Sequence, residues 1–280
     1  MSVEARRLGR TARQVEREVE NSRWLVWLAR AGLVAKGGSY ALVGALAIRL
    51  AIGDGGKATS RQGALASIAD HVWGKVVIGA LAVGFAGYAL WRFAQTFFDR
   101  NNEGTGPKGL ALRAGYFGRG LIYAALTVGA VRLLTEANEP KSQNQQAHEK
   151  AAMALSWPHG RWIVYAAGAC FVGAGVYNGY RGLTKKFLDR WTKGTESDAP
   201  KWGARAGVVG LLARMVVFGL IGAFLIKAAH DYDPKDAIGL DGALQKLAHQ
   251  DYGAWLLGLT AAGLIAYAIF CFFEARYRRV

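Results

Sequence analysis

The sequence contains few cysteines and few prolines. Of its 280 residues, two are cysteine and five are proline. Cys170 and Cys271 both lie inside apolar runs, and two isolated thiols form neither a disulfide framework nor a metal-binding pattern. The longest apolar runs contain no proline. None of these runs is therefore interrupted by a residue that breaks helices.

Charge is also absent from long stretches of the chain. Residues 76–91, 162–177 and 254–273 contain no charged side chain, and 52% of all residues are hydrophobic. About 20 apolar residues are needed to span a bilayer as a helix, and barrel strands are much shorter. The runs therefore predict transmembrane helices. The first 22 residues lack the apolar segment of a cleavable signal peptide.

The formal net charge of the chain is +15. In a soluble protein, such a charge would suggest binding to nucleic acid. Here the basic residues flank the apolar runs and leave no separate basic domain, which is typical of membrane proteins. We therefore expect no nucleic-acid partner.

A pattern of basic and aromatic residues occurs three times. Each time, an aromatic residue follows a basic residue by four positions, and a second basic residue follows the first by thirteen. A glycine precedes the first basic residue by four positions. The three sets are Lys36, Tyr40 and Arg49; Arg119, Tyr123 and Arg132; and Arg214, Phe218 and Lys227, preceded by Gly32, Gly115 and Gly210.

A second pattern follows each of these sets. A glycine and a tyrosine four residues apart recur in the next apolar run, which opens with a glycine preceded by an aromatic residue or histidine. The pairs are Gly84 and Tyr88, Gly173 and Tyr177, and Gly263 and Tyr267, and the opening glycines are Gly74, Gly160 and Gly253. The opening glycine precedes the pair by ten residues in the first and third copies and by thirteen in the second. The second copy therefore carries an insertion.

The two patterns together predict an all-α integral membrane protein made of three tandem hairpins. The six predicted transmembrane helices cover residues 31–52, 74–97, 113–134, 160–184, 206–229 and 253–275. A two-helix repeat returns the chain to its starting side of the membrane. All three hairpins therefore share one orientation, with pseudo-threefold symmetry along the membrane normal.

The repeats "AKGGSYALVGALAIRLA" and "GRGLIYAALTVGAVRLL", together with the ending "FFEARYRR", resemble a bacterial membrane family known as domain of unknown function 1206. The resemblance covers residues 28–279 and implies a six-helix inner-membrane protein with no assigned activity. The middle copy departs from the pattern by its insertion and His159, and the third copy by Phe218 and Cys271. The predicted parts are a basic N-terminal segment at 1–27 and three repeats at 28–100, 109–190 and 202–280.

The segments between the predicted helices differ in charge on the two sides. The segments 1–30, 92–113, 181–205 and 274–280 contain 21 Lys and Arg and 10 Asp and Glu, whereas 49–75, 132–161 and 227–253 contain 11 and 10. Lys and Arg are concentrated on the cytoplasmic side of bacterial membrane proteins. The first group, which includes both termini, is therefore predicted to be cytoplasmic, and the protein is predicted to lie in the plasma membrane.

Three shorter segments have helical spacing. Residues 63–69 and 242–248 predict a half-buried helix at the membrane interface before a second span. In the N-terminal segment, Leu8, Ala12, Val15 and Val19 would share one face of a helix. Four glutamates weaken its attraction to anionic lipid, which favours a solvated or disordered segment over a helix on the membrane.

The cations at the ends of the first spans are the leading candidate site. Lys36 and Arg49 are thirteen residues apart, or about 20 Å along a helix, within a hydrocarbon core about 30 Å thick. Each side chain can therefore snorkel to its interface, which predicts that Arg49, Arg132 and Lys227 are outer anchors. Lys36, Arg119 and Arg214 recur at one depth, with no acid expected in any span. They form either inner anchors or a triad that binds an anion or an anionic lipid headgroup.

Tyrosines and histidines give two further candidates. Tyr40, Tyr123, Tyr88, Tyr177 and Tyr267 either line a path or pack helices together, and the nearby glycines favour packing. His71, His159 and His249 precede the opening glycines on the predicted outer side and are candidates for a metal or pH-sensing site. Their offset from the glycine differs in every copy, which favours ordinary interfacial histidines.

The spans contain no nucleophile–base arrangement, and residues 101–109 lack the spacing of a P-loop. We therefore expect no enzymatic activity and no cofactor. Two function classes remain: a membrane component that organises lipid or a protein partner of unknown identity, and a channel or carrier for a small anion. A closed, side-chain-filled centre favours the first class, and an open solvated centre favours the second.

The charge balance predicts which loops face outward. Single cysteines at Gly55, Gln145 or Asp236, in a chain with Cys170 and Cys271 replaced, should react with an impermeant thiol reagent added to intact cells. Protection of all three positions in intact cells, with labelling after lysis, would reverse the predicted orientation.

Overall fold

The computed structural model describes residues 23–53, 61–69, 72–99, 103–135, 142–191 and 201–277. Within these ranges the chain forms helices and their connections, with no β-strand. The prediction of an all-α protein is confirmed. Residues 1–22, including the predicted amphipathic segment, lie outside the described part of the chain, as does His71.

Six long helices correspond to the six predicted spans. They are α1 (Arg23–Ala51), α3 (Val72–Phe97), α4 (Pro107–Thr135), α6 (Gly160–Leu183), α7 (Lys201–Asp231) and α9 (Gly253–Tyr277). Three of them, α1, α4 and α7, begin five to eight residues before the predicted span. Each of these helices has a basic residue at its first or second position, namely Arg23, Lys108 and Lys201. The predicted spans start further along the chain, near where the uncharged runs begin, although the helices extend back to these basic residues.

Five of these helices, α1, α3, α4, α7 and α9, are long and apolar enough to cross a membrane. This composition indicates a multi-pass membrane protein. The remaining long helix, α6, has 24 residues but contains Asn178 and three tyrosines, which lower its hydropathy. Within the described residues the structure therefore supports five spans, and the sixth remains a prediction.

A short helix precedes each second span. These helices are α2 (Arg61–Ala69), α5 (Gln143–Leu155) and α8 (Leu240–Ala248). The predicted helices at 63–69 and 242–248 are confirmed, and α8 buries Leu244 and Leu247 against the long helices. Ser142 and Gln145 cap the beginning of α5 reciprocally. With 13 residues against nine, α5 is longer than α2 and α8. It ends before Gly160, so its extra length is separate from the insertion between Gly160 and Gly173.

The opening glycine of each second span is required by the same contact in all three copies. A Cβ atom at Gly74, Gly160 or Gly253 would collide with a backbone carbonyl oxygen of the preceding short helix. Backbone atoms cannot move aside as a flexible side chain can. The short helix and the second span therefore meet at a corner that only glycine permits.

The long helices pack in the order α4, α3, α1, α9, α7 and α6. Helix α1 is central, because its residues belong to two buried clusters, one with α3 and α4 and the other with α7, α8 and α9. The first hairpin is closed by contacts between α1 and α3, and the third by contacts between α7 and α9. In the described residues, α4 and α6 of the middle hairpin do not pack along each other.

Glycines make the closed hairpins tight. A Cβ atom on Gly32 would lie 2.8 Å from Cα of Tyr88, and one on Gly210 would lie 2.5 Å from Cα of Tyr267. Close approach of this kind is a common use of glycine in membrane helices. The glycine four residues before the basic residue therefore seats the tyrosine of the second span in the first and third copies.

The same sequence pattern does not produce this contact in the middle copy. A Cβ atom on Gly115 or Gly173 would meet no described atom within 4 Å. The corresponding tyrosine, Tyr177, is 45% exposed, whereas Tyr88 and Tyr267 are 1% and 2% exposed. The middle hairpin is therefore open, and the pseudo-threefold symmetry of the whole molecule remains a prediction.

The glycine contacts predict unequal tolerance of one methyl group. Gly210→Ala should destabilise the protein by about 1–3 kcal/mol, because it forces apart two backbones that already touch. Gly115→Ala should be neutral or stabilise α4 by up to about 1 kcal/mol through its higher helix propensity. Thermal unfolding in one detergent measures both. Equal unfolding midpoints for the two variants would contradict the difference between the hairpins.

Candidate functional site

Lys36 of α1 is buried between two aromatic rings. Its ammonium nitrogen lies 4.9 Å from the ring centre of Tyr267 and 5.9 Å from that of Tyr88. The residue is only 8% exposed. The faces of aromatic rings attract cations, and this attraction offsets part of the cost of burying the ammonium group. Lys36 is therefore held within the helix packing and is not extended freely towards water.

Arg214 of α7 uses the same tyrosine. One terminal nitrogen of its guanidinium group donates a hydrogen bond to the hydroxyl oxygen of Tyr267, at 2.5 Å. The guanidinium carbon lies 4.6 Å from the ring centre of Tyr267 and 4.7 Å from that of Phe218. Lys36 and Arg214, from different repeats, therefore meet at one aromatic ring of α9.

Arg92 of α3 belongs to the same cluster but was not predicted as a site residue. It is 3% exposed, and it donates hydrogen bonds to the hydroxyl oxygen of Tyr88 and to Oε1 of Gln95, the latter at 2.7 Å. Its guanidinium carbon lies 4.5 Å from the ring centre of Trp91. The signal that could have found it is its position four residues after the repeated tyrosine.

That position differs among the copies. It is Arg92 after Tyr88, Arg181 after Tyr177, and Cys271 after Tyr267. In the first copy, the tyrosine hydroxyl accepts from the arginine on its own helix. In the third copy, Cys271 lies beside Tyr267, and the guanidinium group comes instead from Arg214 on α7. Because Cys271 replaces the arginine, the hydrogen-bond donor to the tyrosine hydroxyl group comes from a different helix in the third copy.

Arg119 of α4 completes the predicted triad at the edge of the cluster. It is exposed, and its guanidinium carbon lies 5.9 Å from the ring centre of Tyr116. The positive charges of Arg92, Arg214 and Arg181 all act on it electrostatically. The structure therefore brings Lys36, Arg119 and Arg214 together with the two arginines of the second spans. We call these five cations and their tyrosines the basic–aromatic cluster.

The expectation that no acid lies in any span is wrong for α9. Glu274 is 3% exposed in this helix and, like Lys36 and Arg214, acts electrostatically on Cys271. Glu274 directly follows the uncharged run 254–273 and already lies within the predicted span 253–275, so the sequence itself contains the exception. A second carboxylate, Glu103, accepts a hydrogen bond of 2.7 Å from the hydroxyl group of Tyr116.

Four of the five predicted tyrosines are buried by ring packing. Tyr40 and Tyr267 have ring centres 4.8 Å apart, and Tyr88 and Tyr123 have ring centres 4.4 Å apart. Tyr177 is the exception, since it is exposed and lies 6.0 Å from the guanidinium carbon of Arg181. The buried tyrosines fill the space between helices around Lys36.

The predicted outer anchors are exposed. Arg49 and Arg132 lie near the ends of α1 and α4. Lys227 of α7 forms ion pairs with Asp231 at 3.3 Å and with Asp236 at 2.6 Å. The third anchor is therefore fixed to carboxylates of its own helix end and of the connection that follows.

The two described candidate histidines are exposed and lie apart from acidic clusters. His159 precedes α6 with a left-handed backbone (φ 61°), and Nδ1 of His249 lies 2.8 Å from the carbonyl oxygen of Gln245. The part of the chain that the structure describes contains no group of three or more His, Cys, Asp or Glu residues able to hold a metal ion.

The apolar helices and the internal repeats define a helical, multi-pass membrane protein. The sequence matches the family described as Domain of Unknown Function (DUF1206) three times, at residues 31–99, 114–185 and 209–278. The chain belongs to this family, and the three matches confirm the three tandem repeats.

A relative in Bacillus subtilis (strain 168), described as "Uncharacterized protein YxxB", is 29% identical over 268 residues. The alignment covers 93% of this chain and 94% of the relative. No solved structure matches the chain.

The shared tyrosines predict which hydroxyl groups matter for stability. Tyr267→Phe should lower the free energy of unfolding by about 1–3 kcal/mol, because a buried guanidinium group loses its acceptor. Tyr177→Phe is the matched control and should change it little, since this ring is exposed. Thermal unfolding in detergent measures both, and equal losses would show that the buried hydroxyl group is not a structural partner of Arg214.

Proposed function

We propose that this protein is a non-enzymatic component of the bacterial plasma membrane that organises lipid by binding anionic headgroups at its basic–aromatic cluster. Both termini face the cytoplasm in this proposal, and six spans are related by a pseudo-threefold axis. The observation that carries the proposal is the convergence of Lys36, Arg119 and Arg214, with two further arginines, on one side of the helix packing.

The predicted depth of the cluster suits a phosphate group. The triad lies about 5 Å inside the edge of the hydrocarbon core if each first span is centred in the bilayer. The cytoplasmic leaflet carries anionic lipids, which attract clustered Lys and Arg side chains. The excess of basic residues, 21 against 10 acidic ones, supports placing this end of the helices on the cytoplasmic side.

Burial supports a lipid-organising role over transport. Lys36, Tyr40, Tyr88 and Tyr267 are each at most 8% exposed and fill the space where α1, α3 and α9 meet. A path for a hydrated ion would need water-filled space between these side chains. The closed packing favours a protein that holds a lipid at its surface.

One observation favours the second candidate function, a carrier for a small anion. Arg119 is accessible while four other cations lie in the same cluster, so an anion could reach the cluster from the open side. Uptake of labelled phosphate or chloride into proteoliposomes tests this function directly. Uptake that depends on Arg119 would replace the lipid-organising proposal.

The lipid proposal predicts a difference between two arginines of the same helix. In nanodiscs that contain phosphatidylglycerol and phosphatidylcholine, Arg119→Gln should weaken retention of phosphatidylglycerol about tenfold, equivalent to about 1.4 kcal/mol. Arg132→Gln is the matched control, because it removes an equally exposed cation at the other end of α4 and should leave retention unchanged. The retained lipids can be counted by mass spectrometry of the intact complex.

Two outcomes would overturn the proposal. One is a wild-type protein that retains phosphatidylglycerol no better than phosphatidylcholine. The other is an equal loss of retention in both variants, which would reduce the cluster to a general charge effect. If the triple variant Lys36→Gln, Arg119→Gln, Arg214→Gln folds, it should lose more phosphatidylglycerol than Arg119→Gln does. If it does not fold, the single variant Arg119→Gln still tests the proposal.

A further inference from the structure

The open middle hairpin leaves the glycine faces of α4 and α6 uncovered. Arg181 of α6 acts electrostatically on Arg119 of α4, so we treat the space between these faces as a cleft. We call it the α4–α6 cleft and define it by Gly115 and Gly118 on α4 and by Gly173 and Tyr177 on α6. A Cβ atom on any of these three glycines would meet no described atom within 4 Å. The corresponding glycines of the other hairpins, Gly32 and Gly210, touch the backbone of a tyrosine.

The first hairpin shows what fills the corresponding space when it is closed. There the ring of Tyr88 lies between two cations, 5.9 Å from the ammonium nitrogen of Lys36 and 4.8 Å from the guanidinium carbon of Arg92. An aromatic ring thus separates and partly compensates the two positive charges. Lys36 and Arg92 correspond to Arg119 and Arg181 of the middle copy.

In the middle hairpin the tyrosine contacts only one of the two cations. Tyr177 lies 6.0 Å from the guanidinium carbon of Arg181, and the ring next to Arg119 is that of Tyr116 on its own helix. Three positive charges, those of Arg92, Arg214 and Arg181, act on Arg119, and the interaction with Tyr88 opposes them. A cation within a span is costly to keep unless an anion accompanies it.

We infer that the α4–α6 cleft binds one anionic phospholipid, with its phosphate group between Arg119 and Arg181. This inference rests on the proposed function and specifies its site. Guanidinium groups form paired hydrogen bonds with phosphate oxygens, so two arginines suit this group. Gly118 lies level with the phosphate, and one acyl chain then runs past Gly173 towards the middle of the bilayer, in the space that a second helix covers in the other hairpins.

A phospholipid is favoured over a free phosphate ion because the positive charges and the uncovered apolar faces lie together. A free phosphate ion would satisfy the arginines but would leave the apolar faces of α4 and α6 unfilled. A phospholipid supplies both the anion and the chain. The first and third hairpins are closed at this level, so the protein holds one such lipid for each chain.

Filling the cleft tests the inference without removing any charge. The double variant Gly115→Leu, Gly173→Leu adds side chains where no described atom lies within 4 Å, so it should fold. In nanodiscs with phosphatidylglycerol and phosphatidylcholine, it should retain phosphatidylglycerol about tenfold more weakly than the wild type. The control is Gly258→Leu on α9, where the nearest atom to an added Cβ is Cβ of Ala51 at 3.8 Å.

Crosslinking provides a second measurement that does not depend on the stability of the double variant. In a chain with Cys170 and Cys271 replaced, Gly115→Cys and Tyr177→Cys would be close enough for a disulfide only if the middle hairpin closes like the first. Phosphatidylglycerol should slow formation of this disulfide about tenfold relative to pure phosphatidylcholine, because a bound lipid holds the helices apart.

The outcomes separate this inference from the proposed function. If the wild type shows no preference for phosphatidylglycerol, both fail. If it shows the preference and the filled variant retains it, or if crosslinking is unaffected by phosphatidylglycerol, the cleft is not the site and only this inference fails. If inorganic phosphate at millimolar concentration displaces the lipid without chain-length dependence, the site binds a free anion, which overturns the lipid assignment.

Discussion

The structure depends on how positive charge is kept inside apolar helices. Tyr267 meets this constraint for two repeats at once, because its hydroxyl group accepts a hydrogen bond from Arg214 and its ring faces Lys36. A single side chain of α9 thereby links α1 and α7. Tyr88 has the same double role for Arg92 and Lys36 on the other side of α1. Lys36 therefore lies between two tyrosines, and the helices that carry them must pack close to α1.

Close packing in turn requires the glycines. Gly32 and Gly210 let the tyrosine backbones approach the first spans, so that the rings reach the cations instead of the lipid. The repeated motif therefore has two roles. Its glycine sets the distance between the two helices, and its basic residue contacts the tyrosine ring that lies within reach at this distance. Where the glycine contact is missing, as at Gly115, the tyrosine and the cation separate as well.

Much of this arrangement could be predicted from the sequence. The length of the apolar runs and the repeated spacing predicted every long helix, and the spacing of Lys36, Arg119 and Arg214 predicted that they share one region. Arg92 could have been found, because it follows the repeated tyrosine as Arg181 does. Glu274 could also have been found, because it lies within the predicted span 253–275, whereas its burial depends on the packing of α9.

The insertion before Gly173 marked the middle copy as different, but it did not predict an open hairpin, since Gly115 with Arg119 and Gly173 with Tyr177 keep the spacing of the closed copies. Whether two helices close depends on a small difference between competing packing energies, and local spacing does not encode that difference. Sequence patterns report which surfaces are able to meet. They do not report which of three equivalent pairs is left apart.

Three similar hairpins in one chain also permit a division of labour. The first and third hairpins hold the bundle around α1. The middle hairpin can therefore lose the contact between its two helices without loss of the fold. The exposed tyrosine at position 177 and the longer α5 belong to this copy, so the surface that is left uncovered is separated from the contacts that hold the bundle together.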